Sequence, residues 1–150
     1  MRALIQRVAG AEVRVAETII SAIDQGLLVL LGVRDGDTLR DVEYLAAKVL
    51  TLRIFEDAQG KMNRDVCDVQ GAVLVVSQFT LYADCRKGRR PSFVQAARPD
   101  LARQRYEEFL HAVARYGVSP AHGAFGEHMT VSLVNDGPVT LMIDSPPSAG

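Results

Sequence analysis

The sequence predicts a mixed α/β (α+β) fold: one strand-rich, barrel-like or sandwich-like sheet carrying two main helices. Three observations predict it. Period-2 patterns sit near both ends of the chain, two short uninterrupted apolar runs lie between them, and two segments space their apolar residues by three and four. The 150 residues match the usual size of one domain. With 48% of residues apolar and 23% charged, the chain can build a core and is not intrinsically disordered. The domain is expected over 1–145, with 146–150 as a frayed tail.

Arg2 to Val15 alternates loosely, which suits one or two extended strands, and Ile19 to Ile23 is expected to pair back on it. Gly26 to Gly32 is continuously apolar. At that length the run reads as a strand buried on both faces, the centre of the sheet. Asp35-Gly36-Asp37-Thr38 punctuates, and Leu39, Val42, Leu45, Ala46, Val49 and Leu52 then follow at helical spacing, with Thr38 as cap and Asp41 three residues on. A helix over Leu39 to Arg53 is predicted.

Asp57 to Gly60 reads as a turn, and Ala72 to Val76 as a second buried strand running straight into Ser77-Gln78-Phe79-Thr80-Leu81. Pro99 opens a second helix, with Ala102, Tyr106, Phe109, Leu110 and Val113 on its apolar side, that ends before Gly117. Met129 to Val134 and Val139 to Ile143 read as strands interrupted by Asn135-Asp136-Gly137-Pro138.

Several function classes are excluded at this level. A net charge of −1 provides no global field to draw the chain onto a polyanion, so any such contact is a local patch. The apolar run Gly26 to Val33 is far short of the ~20 residues that span a bilayer. MRALIQRVAG lacks the features of a secretory signal, so a cytoplasmic location is expected. Cys67 and Cys85 lack C-x-x-C spacing and read as two reduced thiols. Nucleophile-elbow, zincin, P-loop and dinucleotide motifs are missing. His111, His122 and His128 read as surface or structural histidines, because nothing at suitable spacing completes a triad or metal site.

Three segments carry candidate chemistry. In Ser77 to Leu81, a hydroxyl, an amide, an aromatic ring and a second hydroxyl follow a buried strand, where sheet-based sites gather polar groups around a pocket. The same residues also read as an ordinary strand end, with Ser77 and Thr80 bonded to neighbouring backbone. Asn135 to Thr140 contains a Gly-Pro step, which admits a cis peptide because X-Pro bonds prefer trans by only ~0.5–1 kcal/mol. A plain hairpin turn is the other reading. Arg86, Lys87, Arg89 and Arg90 form a dense cationic loop that Arg53, Lys61 and Arg64 could extend. It is either a phosphate-binding patch or a solvated loop.

Together these segments resemble the D-aminoacyl-tRNA deacylase family. Its two signature motifs stand here as Ser77-Gln78-Phe79-Thr80-Leu81 and Asn135-Asp136-Gly137-Pro138-Val139-Thr140, in the family's order and separation. The likeness continues in Met1 to Val8, Gly26 to Val33, Arg53-Ile54-Phe55, Gly60 to Asn63, Arg90 to Phe93 and Gly123-Ala124-Phe125, and it covers Met1 to about Ile143. Ala16-Glu17-Thr18-Ile19 departs from it, lacking the glycine expected in the family's first hairpin.

The resemblance implies a homodimer with its active sites at the subunit interface, cleaving the ester between a D-amino acid and the 3′-terminal adenosine of tRNA. Ser77, Gln78, Phe79 and Thr80 would form the catalytic segment of one subunit. Gly137-Pro138, held cis and braced by Arg7, would enter from the partner, with Phe125 and Met129 also binding substrate. Arg86, Lys87, Arg89 and Arg90 would contact the tRNA acceptor end. No cofactor, metal, membrane or DNA is implied.

An aminoacyl ester is already activated, so positioning, oxyanion stabilisation and a water suffice. Backbone amides near Phe79 and Thr80 are the expected oxyanion donors, and the substrate's 2′-hydroxyl assists the water, in preference to covalent catalysis by Thr80. Carbonyls of Gly137-Pro138 that hold the substrate ammonium and leave no room for an L side chain would select by exclusion. Glycyl-tRNA, such as glycine mischarged on tRNA-Ala, would then be cleaved too. Two other readings fit the same residues: a non-catalytic RNA-binding or editing-accessory module that holds an aminoacylated end, and a small-molecule esterase or amidase for which the basic loop is incidental.

Overall fold

The computed structural model describes residues 1–147. Strand β1 (Arg2–Val15) is followed by β2 (Thr18–Ile23) and β3 (Gly26–Gly32), then helix α1 (Leu39–Thr51). A small hairpin, β4 (Phe55–Glu56) and β5 (Met62–Arg64), precedes β6 (Ala72–Ser77) and a short 3-10 helix (Phe79–Tyr82). Helix α2 (Pro99–Arg115), β7 (Ala121–His122) and β8 (Thr130–Asp144) complete the order. The expected mixed fold, with a barrel-like sheet and two helices, is what forms. Of the tail expected over 146–150, the part from 148 onward lies outside the described residues.

The main sheet runs β2-β1-β3-β6-β7, with β8 on the other edge of β1. β1 is the spine. One of its edges is shared by β3 (from Arg2 to Val8) and β2 (from Ala11 to Val15), while β8 runs antiparallel along nearly its whole other edge. β6 lies parallel to β3, so β3 is central and covered on both faces. Leu27, Val29 and Leu31 face the helices, whereas Leu28 and Leu30 face the barrel interior with Leu74 and Val76 of β6. Burial on both faces is why these strands read as unbroken apolar runs.

Two cores result. The larger packs Ala3, Ile5, Val73 and Val75 of the sheet against Leu45 and Val49 of α1 and Tyr106 and Phe109 of α2. The smaller fills the barrel with Val8, Ala11, Val13, Leu28, Leu74 and Val76, closed by Met129 and Val131. β1 serves both because its register against β8 slips between Gln6 and Val8 and again between Val8 and Gly10. Irregularities of this kind bend a strand and change which side chains face inward.

Two expectations need correction. The first helix stops at Thr51 rather than Arg53, because Leu52 turns extended (φ −63°, ψ 126°) while its amide still donates to Lys48 O. The two C-terminal strands are one strand, β8. Asn135 keeps it continuous: its side-chain amide donates to Arg7 O at 2.9 Å and Val139 O at 3.0 Å, supplying bonds where the ladder slips. The Gly137–Pro138 peptide is cis within this strand and is not a hairpin turn.

The α-amino group of Met1 is buried and donates to Asp37 Oδ1 and Ser145 Oγ, both at 2.7 Å. Asp37 in turn accepts from the Arg34 amide at 2.6 Å. The start of β1, the end of β8 and the loop into α1 are thereby tied at one point. Cys67 and Cys85 are both free, and no described helix is long and apolar enough to cross a membrane.

Candidate active site

The site grows from the end of β6. Ser77 pairs with Leu31, and the Gln78 amide donates to Leu31 O at 2.8 Å, so the strand is held in register to its last residue. The chain then leaves the sheet at Gln78 (φ −143°, ψ 81°) and winds one turn of 3-10 helix. Gly32 permits the turn: a Cβ there would lie 3.2 Å from Leu81 Cβ and from the Tyr82 ring. Leu81 N donates to Gln78 O and Ala83 N to Thr80 O, while the amides of Phe79 and Thr80 have no acceptor among the described residues. Such amides at a first helical turn are available donors.

Beside this turn lies a largely apolar cavity of about 590 Å³. Its floor is Val76, Met129 and Val131, which also close the barrel core. Ser77, Gln78 and Phe79 form one wall, Phe93, Ala96 and Ala97 a second, and Phe125 to His128 a third. Phe79 and Phe93 meet edge to face, with centroids 5.0 Å apart. The volume lies within the ~300–1,000 Å³ typical of sites for small ligands.

Phe125 is fixed from behind. The buried Tyr106 ring lies 5.8 Å from it, and the Tyr106 hydroxyl donates to Val75 O at 2.9 Å. Burial pushes the Tyr106 phenol up to about 12, so it stays protonated and keeps that bond. Arg103 lies over the Phe125 ring at 4.5 Å. Met129 is held against the preceding turn, its sulfur accepting from the Ala124 amide at 3.3 Å.

Of the residues predicted for catalysis, Ser77, Gln78 and Phe79 line this cavity, as do Phe125 and Met129. Thr80 does not line it. Its hydroxyl accepts a hydrogen bond from the Gln78 side-chain amide, so Thr80 orients Gln78 from outside. His128 lines the cavity while remaining exposed, a position that the spacing of the histidines did not reveal. Phe93, Ala96, Ala97 and Glu127 were missed as well. Only the Arg90 to Phe93 segment among these carried a sequence signal.

Gly137 and Pro138 are exposed and do not line the cavity of their own chain. Arg7 stands at their root: it is 6% exposed, its Nη1 donates to Ile54 O at 2.7 Å and its Nε to Asp136 O at 3.3 Å. The basic residues Arg86, Lys87, Arg89 and Arg90 occupy an exposed loop whose base is the Asp84–Ser92 bridge, next to Phe93. They are not equivalent. Arg86 pairs with Asp84 at 2.6 Å, an interaction that holds the Asp84 carboxyl down at about 2 and raises the guanidinium.

The family model described as D-Tyr-tRNA(Tyr) deacylase matches residues 4–144. The D-aminoacyl-tRNA deacylase of Thermosipho africanus is 56% identical over 145 residues, covering 97% of each chain. That of Thermus aquaticus is 57% identical over 150 residues, covering 100% of this chain and 99% of the relative. A solved structure described as "c-Myc DNA Unwinding Element Binding Protein" superposes with a TM-score of 0.91 at 42% identity, covering 97% of this chain and 99% of the other. A probable eukaryotic D-amino acid tRNA deacylase, 18% identical with a TM-score of 0.82, shares the fold. With the family match running from β1 to the last residue of β8, and so across the cavity, the 3-10 turn and the Gly137-Pro138 strand, this chain belongs to the D-Tyr-tRNA(Tyr) deacylase family.

Proposed function

We propose that this D-aminoacyl-tRNA deacylase hydrolyses its ester by positioning and backbone electrostatics, with no protein nucleophile. The observation that carries this reading is the unpartnered amide of Phe79, a residue that lines the cavity, with the unpartnered Thr80 amide beside it on the same turn. They suit the oxyanion that forms when water adds to the acyl carbon. The Thr80 hydroxyl is engaged by Gln78, and no hydrogen bond links Ser77 or Thr80 to His128 or Glu127 among the described residues.

In this reading the substrate's 2′-hydroxyl assists the attacking water. The tetrahedral intermediate collapses by breaking the bond to the 3′-oxygen, which takes up a proton. The products are free D-amino acid and tRNA with an intact 3′ end. Phe125 and Met129 bound the space for the terminal adenosine and the acyl group.

Chirality is read by a second copy of the chain. Among the described residues β8 pairs only with β1 and its other edge is open, and the strand that carries Gly137-Pro138 exposes Leu133, Val134 and Met142. A homodimer formed over this surface would bring Gly137-Pro138 to the partner's cavity. Their carbonyls would accept from the substrate ammonium, and an L side chain would meet the backbone itself. Glycine has no side chain to exclude, so glycyl-tRNA, including glycine mischarged on tRNA-Ala, is expected to be hydrolysed as well. Arg86, Lys87, Arg89 and Arg90 are assigned to the tRNA acceptor end.

The test is release of D- and L-tyrosine from matched tyrosyl-tRNAs, against a blank without protein. Cleavage of the D ester alone supports the reading, whereas equal cleavage of both esters removes the chiral gate. Cleavage of neither favours a module that holds aminoacyl-tRNA without hydrolysing it. Duplex DNA added as competitor checks the assignment to tRNA, since inhibition at stoichiometric DNA would contradict it.

A further inference from the structure

We infer that Arg103 is a phosphate-contacting residue for the 3′ strand of the substrate; the inference rests on the deacylase reading above. Most arginines of the chain that are held in place have their charge cancelled. Arg2 pairs with Asp144, Arg7 with Asp136, Arg14 with Glu12, Arg86 with Asp84, Arg105 with Glu108 and Arg115 with Glu43. Arg103 differs. Its guanidinium lies 4.5 Å from the Phe125 centroid, and no carboxylate lies within salt-bridge distance among the described residues. It is therefore ordered by an aromatic face while its charge and its N–H edge remain free.

Its place in the fold gives that edge a target. Arg103 follows Ala102 on the exposed side of α2, and both Ala102 and Phe125 line the cavity, so the guanidinium stands at the cavity rim. An aminoacyl adenosine seated there continues into the phosphate linking it to the preceding nucleotide, which must leave the cavity past its rim. A stacked guanidinium presents a fixed fork of donors suited to phosphate oxygens and is weakly hydrated. The basic loop is a separate contact: it lies beyond the Asp84–Ser92 bridge, on the Phe93 side of the cavity, whereas Arg103 lies against Phe125. Within that loop Arg86 is paired with Asp84, and Lys87, Arg89 and Arg90 are exposed.

The test compares two substrates, D-tyrosyl-tRNA and 3′-D-tyrosyl-adenosine, the second having the ester and the base but no phosphate. For Arg103→Gln, kcat/KM on the tRNA is expected to fall about tenfold at low salt. Its log–log dependence on salt should become shallower by about 0.7, the value for one lost contact to a single strand. Hydrolysis of the adenosine ester should not change. Arg103→Lys should retain the salt slope while losing part of the rate, since it keeps the charge without the fork. Equal losses on both substrates would overturn the inference, because Arg103 would then act only through Phe125. Unchanged tRNA kinetics would overturn it too. Failure of the unmodified protein to cleave either substrate is a different result, which removes the deacylase reading itself.

Discussion

Arg7 grips Asp136 twice through one nitrogen, Nε lying 3.3 Å from the backbone carbonyl and 3.1 Å from the carboxylate, while Asn135 reaches back to the Arg7 carbonyl at 2.9 Å. The strand carrying Gly137-Pro138 is thus locked to β1 by side chains at the point where its ladder slips. Arg7→Lys keeps the charge but not the fork that also binds Ile54 O. Leaving the buried Ile54 carbonyl short of its donor is expected to cost about 1–3 kcal/mol. Because Asp136 is largely solvated, the loss should not approach that of a fully buried pair. Denaturant unfolding and D-tyrosyl-tRNA kinetics on the same preparation check this, and activity should fall more than stability does.

Gly137 tests the assignment across subunits. Its φ of +117° favours glycine, and a Cβ there would lie 2.9 Å from Arg7 Nη2 and 3.0 Å from Val139 Cγ2. Gly137→Ala should therefore displace the segment and remove D-aminoacyl-tRNA hydrolysis. Gln78→Ala damages the cavity instead. If the two elements meet in trans, mixing the two inactive proteins and letting subunits exchange will regenerate some sites with both elements intact. Recovered activity supports the dimeric site; a mixture that stays inactive while exchange is shown to occur counts against it.

Thr80 separates backbone from side-chain catalysis. Its hydroxyl accepts from Gln78 and lines no part of the cavity, so Thr80→Ala removes an orienting contact and leaves the Thr80 amide in place. A fall in kcat of about tenfold or less is expected. A fall of several orders of magnitude would instead make the hydroxyl a nucleophile or base.

How much of this was legible in the sequence depended on where each residue's constraints come from. β3 and β6 were readable because burial on both faces leaves an unbroken apolar run. α1 was readable from Thr38, Asp41 and the apolar spacing, and the structure forms that capping box. The 3-10 turn at Phe79 was not, since nothing in a Gln-Phe-Thr-Leu run signals helix; the turn is set by Gly32 beneath it. The continuity of β8 was hidden because Asn135, which reads as a turn residue, spends its amide bridging two strands. The turn at Asp57 to Gly60 was visible, but not the hairpin it closes, where the Asp57 carboxylate accepts from the Gln59 amide at 2.9 Å and the Lys61 amide at 3.0 Å. The cavity's far walls come together only by tertiary closure, which no local spacing records.

Asp41 predicts the acid limb of stability. Burial opposes its ionisation, but the Ser145 hydroxyl, the Thr38 amide and hydroxyl and the nearby α-amino group outweigh that and lower its pKa from 3.8 to about 2. A carboxyl whose folded pKa is depressed contributes stability that is complete above its unfolded value and is lost as pH falls through the folded one. The window is therefore from about pH 4 down to about pH 2, and the contribution is on the order of 2 kcal/mol. Asp41→Asn should lower stability at neutral pH and flatten its decline through that window. Parallel curves for the two proteins across the window would show that Asp41 is not the titrating group.

The hairpin between β1 and β2 offers a change whose sign is set by two opposing effects. The segment Ala16-Glu17-Thr18-Ile19 lacks the glycine expected in this hairpin, and Ala16 adopts φ +52°, the left-handed region. An L residue with a Cβ is disfavoured there by roughly 1–2 kcal/mol. Ala16→Gly removes that penalty but gives the unfolded chain more freedom, at about 0.4–1 kcal/mol. Relief of the folded backbone outweighs that added freedom, and Ala16 is exposed, so no packing is lost. A net stabilisation of about 0.5–1 kcal/mol is expected, visible as a higher Tm with activity unchanged, because the turn lies outside the cavity. A lower Tm would mean that the alanine methyl or the turn's preorganisation contributes more than its strained backbone costs.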